Sequence, residues 1–138
     1  MVAFGLWFGL PVVIRSVTVR RIEEVCRRQK LVALTFDDGP VPGMTERVLE
    51  LLDELDVKAT FFMIGRLVEE NEALAREVAE RGHEIASHTH NHLDAWRVGP
   101  VRGIADLRSG MQILKDRELP VSWFRPPRGN ATLGTVLS

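Results

Sequence analysis

Four short apolar runs, each separated from the next by a helix-length amphipathic stretch, restrict the folds open to this chain of 138 residues. The runs are K-L-V-A-L-T-F at 30–36, A-T-F-F-M-I at 59–64, E-I-A-S at 84–87 and V-S-W-F at 121–124. The first two lack polar alternation and read as strands buried on both faces, the habit of parallel sheets. After Thr45, a candidate cap, Val48, Leu49, Leu52 and Leu55 recur at helical spacing. Leu74, Ala75 and Val78 do so between Asn71, read as an N-cap, and Gly82, read as the stop. Ile104, Leu107, Met111 and Leu114 mark a third helix over 101–117. Strand and helix alternating through short connections imply an α/β fold with parallel strands and helical crossovers. The segments 37–43, 88–100 and 125–130 read as loops.

The length predicts one domain, large enough to bury about 68% of the surface its unfolded chain exposes. Hydrophobic residues at 45% and charged residues at 27% exclude a disordered chain. A net charge of −1 gives no basic excess for nucleic acid. The single cysteine, Cys26, sits among arginines; it excludes an intramolecular disulfide and is given no role.

Residues 2–14 are apolar throughout, then Arg15, Arg20, Arg21, Arg27, Arg28 and Lys30 crowd together. A membrane-spanning helix needs about 20 apolar residues. Gly5, Gly9 and Pro11 further weaken the run as a helix. We read 1–29 as an N-terminal segment apart from a domain at 30–138. Residues 1–14 read as the remnant of a membrane anchor or as a degenerate export signal, both ranked ahead of a buried element of the domain. Trp7 and Phe8 suit a membrane interface.

Every reactive cluster follows a strand. Asp37 and Asp38 follow the first, His88 and His92 the third, Arg125 the fourth. In parallel α/β folds the carboxyl ends of the strands share one edge, so these residues are expected to converge. In T-F-D-D-G-P, at 35–40, the adjacent carboxylates repel unless a cation intervenes: one can ligate it while the other stays free as a base. A bare D-D-G is usually a turn; after a buried strand the turn and the site readings stand level. In S-H-T-H-N-H, at 87–92, His88 and His92 are four apart and can face one ion, which turns His90 away. Two imidazoles and a carboxylate leave coordination positions open, the mark of a catalytic site. His83 reads as a helix-end histidine stabilised by the dipole. In W-F-R-P-P-R-G-N, at 123–130, Arg125 can orient the free carboxylate. Pro126 and Pro127 stiffen the loop, and the Arg128 amide can meet an oxyanion.

These three motifs, in this order, resemble those of the polysaccharide deacetylase family (carbohydrate esterase family four, the NodB-like homology domain) over roughly residues 30–130. The resemblance implies a distorted (β/α) barrel that removes N- or O-acetyl groups from carbohydrate such as chitin-type or peptidoglycan glycans. It implies Asp37 as general base and Asp38, His88 and His92 as ligands of a divalent ion, usually zinc. It gives Arg125 as partner of the base, with Pro126, Pro127 and Arg128 at the substrate. We expect a place in the cell envelope or outside the cell, with membrane anchoring through residues 1–14 and a cytoplasmic location both left open. Three departures stand out. Arg128 occupies a position where many members have tyrosine, and Ala86 replaces a glycine. No histidine follows His92, so the Leu-x-His motif that supplies the general acid has no counterpart. The expectation is a barrel incomplete at its C-terminus, with weak or absent activity for the chain as given. Two alternatives remain: a hydrolase of small-molecule C–N bonds on the same scaffold, and an inactive metal-binding relic.

Overall fold

A computed structural model describes residues 2–137, with the backbone alone for 2–8, so the side chains of Trp7 and Phe8 lie outside the described set. The elements run α1 Val2–Gln29, β1 Thr35–Gly39, α2 Thr45–Glu54, β2 Thr60–Met63, α3 Gly65–Glu70, α4 Glu72–Glu80, β3 Glu84–Ser87, α5 Ala95–Val98, α6 Pro100–Asp116, β4 Val121–Phe124, a 3-10 turn Pro127–Gly129 and α7 Leu133–Leu137. The four strands form one parallel sheet in the order β1-β2-β3-β4. This is the α/β pattern expected, as a four-stranded part of a (β/α) barrel.

Strand residues alternate between two destinations. Phe36, Phe61 and Ile85 share one register row and face the helices, with the Phe36 and Phe61 rings stacked at 5.2 Å. Leu49 and Leu52 of α2, Leu74, Ala75 and Val78 of α4, and Leu114 of α6 close over that face. Leu49, Val78 and Leu114 are fully buried, which is why these helices carry apolar residues at helical spacing.

The first strand begins later than the sequence suggests. Leu31, Val32 and Leu34 are exposed, and the ladder starts at Thr35 and continues through Asp37 to Gly39, residues read as loop. As an edge strand, β1 is buried on neither face along its length. Residues 2–29 form one helix despite Gly5, Gly9 and Pro11. Proline removes one i→i−4 bond, and a helix of 28 residues keeps the others; Pro11 itself is buried. No helix among the described residues is long and apolar enough to cross a membrane.

Two short helices, α3 and α5, lie where the sequence shows too few turns for a period. Neither predicted cap acts through its side chain. Thr45 is buried, and its hydroxyl accepts from the Val41 amide at 2.9 Å. Asn71 donates backwards to the Leu67 carbonyl at 3.1 Å, closing α3 rather than opening α4.

His83 is the larger correction. It is buried rather than set at a helix end: its Nδ1 accepts from the Ala59 amide at 3.3 Å and its ring lies 5.4 Å from that of Phe61. Nε2 is buried with no partner among the described residues. Burial pushes the imidazole below its ordinary value, and Lys58 adds to the effect. The unfolded chain therefore takes up a proton near pH 6.5 that the folded chain refuses, so stability falls as pH drops below that value. His83→Gln is expected to lose less stability than the wild type between pH 7.5 and pH 5.5, measured by urea unfolding. Equal losses would sink this account.

Candidate active site

The site is assembled by three backbone ties at the carboxyl edge of the sheet. The Gly39 carbonyl accepts from the Ile64 amide at 2.9 Å, Met63 from His88 at 2.7 Å, and Ser87 from Arg125 at 2.9 Å. Each strand's last carbonyl holds the residue that follows the next strand, bringing Asp37, Asp38, His88 and Arg125 together.

Adjacent residues in a regular strand point to opposite faces. Asp37 and Asp38 escape that rule because the ladder shifts between Asp37, opposite Phe62, and Gly39, opposite Met63. Asp38 is the extra residue, with φ of 66°, and the bulge re-aims its carboxylate. His88 Nε2 lies 3.5 Å and His92 Nε2 3.3 Å from Asp38 Oδ1. The donor atoms of the three all lie within 4.8 Å of one another.

These residues fit a divalent ion. Zinc bonds of ~2.0–2.2 Å at tetrahedral angles separate ligand atoms by ~3.4 Å, close to the two spacings from Asp38. The His88 ring is also oriented for it. Its Nδ1 lies 2.8 Å from the Arg125 carbonyl, which can only accept, so the proton sits on Nδ1 and Nε2 presents a lone pair toward Asp38. Burial, the largest influence, pushes His88 below its ordinary value, against the opposing hydrogen bond to Arg125. The neutral imidazole is the form that ligates.

Asp37 is held apart from that cluster. Arg125 Nη1 donates to Asp37 Oδ1 at 2.6 Å and to the Thr35 hydroxyl at 3.1 Å. The guanidinium lies 3.9 Å over the Phe62 ring. With both partners more than a third exposed, the Coulomb attraction alone is worth little; the stacking and the second acceptor fix the geometry. Thr35, Phe62 and the Arg125 carbonyl were missed in sequence reasoning. A polar threonine two residues before Asp37, on the same strand face, was the one readable signal.

Asp37, His88, Arg125, Pro126 and Arg128 line one cavity of about 720 Å³, walled on one side by α1 through Pro11 and Arg15. Pro127 is buried, and Arg128 has φ of 58°. His90 turns from the cluster toward Glu69, at 3.7 Å.

The model of the polysaccharide deacetylase family matches residues 24–137. A peptidoglycan-N-acetylglucosamine deacetylase of Bacillus cereus is 42% identical over 106 residues, 77% of this chain and 50% of that protein. The structure of peptidoglycan deacetylase PdaC from Bacillus subtilis is similar with a TM-score of 0.73 and 26% identity, over 77% of this chain and 53% of that one. A family 4 carbohydrate esterase pseudoenzyme from Bacillus anthracis is similar with a TM-score of 0.70 and 28% identity, over 76% and 38%. The chain spans about half the length, or less, of these relatives.

Calorimetric titration with zinc is expected to find one site per chain. Asp38→Ala and His92→Ala should each weaken it by more than the ~10–100-fold typical of an outer-shell partner. Unaltered affinity in both variants would refute the assignment of these ligands.

Proposed function

The chain belongs to the polysaccharide deacetylase family, and on that premise we propose that it hydrolyses acetyl groups from an N-acetylated carbohydrate of the chitin or peptidoglycan kind. One observation carries the reading: a carboxylate fixed by an arginine stands beside a separate Asp-His-His donor set, and Asp37, Arg125 and His88 of that set line one cavity. Asp38, His88 and His92 would hold a divalent ion, zinc by preference, whose chemistry when bound is to polarise the acetyl carbonyl and acidify water.

The remaining roles fall to the chain's own groups. Asp37 takes the proton of the attacking water, and its pairing with Arg125 keeps one carboxylate oxygen engaged and the other free to accept. The Arg128 amide, set by the stiff Pro126–Pro127 turn, faces the oxyanion as the tetrahedral carbon forms. Water adds to the carbonyl, Asp37 passes the proton it took to the amide nitrogen, the C–N bond breaks, and acetate and the sugar amine leave. An O-acetyl group would pass through the same steps with an alcohol leaving.

The B. cereus relative is a peptidoglycan deacetylase, and the same setting, the cell envelope, is proposed for this chain. Leu10, Val12, Val13 and Ile14 are exposed on α1, ahead of Arg15. That surface supports the proposal that the N-terminal segment, residues 1–14 foremost, rests on a membrane while 30–138 carry the chemistry.

Acetate release from N-acetylglucosamine oligomers tests the reading. Asp37→Asn should lower kcat by ~10²–10⁴-fold, the usual share of a general base, while zinc affinity stays near that of wild type. Zinc uptake by wild type with no turnover on any acetylated glycan would leave the relic reading instead.

A further inference from the structure

Asp106 is a carboxylate on the buried face of α6, 5% exposed, in line with Gly103, Leu107, Gly110 and Leu114. Burying a charged group there is unfavourable unless hydrogen bonds offset it. Every hydrogen bond that the structure gives this carboxylate goes to two residues. Oδ1 accepts from the Asn91 amide at 2.9 Å and from Asn91 Nδ2 at 2.8 Å; Oδ2 accepts from the Leu93 amide at 3.2 Å. The Asp106 main-chain carbonyl accepts from the His90 amide at 3.0 Å.

The residue between these anchors is His92. Its backbone has φ of 58°, a region that non-glycine residues hold only when their surroundings impose it. His88 is fixed through its own ring by the Arg125 carbonyl. His92 is fixed through its neighbours instead, on both sides, by one side chain. We propose that Asp106 is a positioning residue for the metal: it holds His92 in the conformation that aims Nε2 at Asp38. The proposal rests on the metal reading above and adds a residue outside the ligand set.

Zinc affinity of the folded chain, measured by calorimetry well below the unfolding temperature, tests it. Asp106→Asn puts an NH₂ group where an oxygen accepted, and should raise the zinc Kd by about 10–100-fold. Asp106→Glu should recover part of the loss. Leu114→Ala, on the same helix and fully buried, should lower stability to urea and leave the Kd within about twofold. A wild-type Kd in Asp106→Asn overturns the proposal, and so does an equal loss in Leu114→Ala. If Asp106→Asn does not fold, Asn91→Ala, which removes one of the three bonds, must weaken zinc binding; an unchanged Kd overturns the proposal. A wild type that binds no zinc defeats the metal reading alone. Amide exchange at Leu93 in the metal-free chain then decides, since Asp106→Asn must speed it and an unchanged rate overturns the anchor.

Discussion

The ladder ties at the ends of the strands are the constraint on which the site depends. Gly39 to Ile64, Met63 to His88 and Ser87 to Arg125 are ordinary parallel-sheet hydrogen bonds. Because each one closes at a strand terminus, it sets the first residue of the following loop at a fixed height on one edge. The side chains of Asp37 and Arg125 meet at 2.6 Å although 88 positions separate them. No long-range polar network is needed to bring the functional groups near; the apolar rows of β1, β2 and β3 do that, and the polar contacts only trim the geometry.

That trimming is where local rules are broken. Asp38, Thr89, His92 and Arg128 all have positive φ; Asp38 is the bulge within β1, and the others lie in the segments that follow β3 and β4. Each such residue costs about 1–2 kcal/mol in isolation, so the surrounding structure must supply the difference. Part of the supply is close packing. The backbone at Thr89 and His90 runs between Gly65 and Gly110, and a Cβ on Gly110 would stand 2.5 Å from the Thr89 carbonyl carbon. A larger residue at Gly110 would push the histidine segment off α6. The same loop donates to Asp106, one turn before Gly110 on the same helix. Close packing and hydrogen bonding therefore act on one stretch of backbone, from one helix.

The legible part of this structure was the part written in repeated apolar positions. Strand and helix order, the α6 stripe and the convergence of Asp37, His88 and Arg125 all follow from periodicity and from the shared edge of a parallel sheet. The strand at 30–36 was misplaced because its apolar residues signal burial, while β1 has a neighbour on one side only and Leu31 and Val32 meet solvent. His83 was misjudged because a histidine near a helix end looks the same in sequence whether it faces water or Phe61. The Asp38 bulge left no sign in D-D-G, since a turn and a bulge both use such residues. Asp106 lay within the α6 stripe, where a charged residue at a buried phase was a readable anomaly.

Exposure decides how these parts divide the work. His88 is buried, His92 partly so and Asp38 open to solvent, so the candidate donor set grades from a protein wall to a mouth. Asp37 stands at that mouth with its side chain 36% exposed. In so wet a position the charge of Arg125 can do little for it, because water screens the pair. What Arg125 can do is geometric: stacked on Phe62 and bonded to Thr35, it cannot swing, so the oxygen it grips cannot either. The screening is set by whatever covers the cavity, and among the described residues α1 walls it through Pro11 and Arg15. The water that reaches Asp37 is thus limited by a helix that contributes none of the candidate donor atoms.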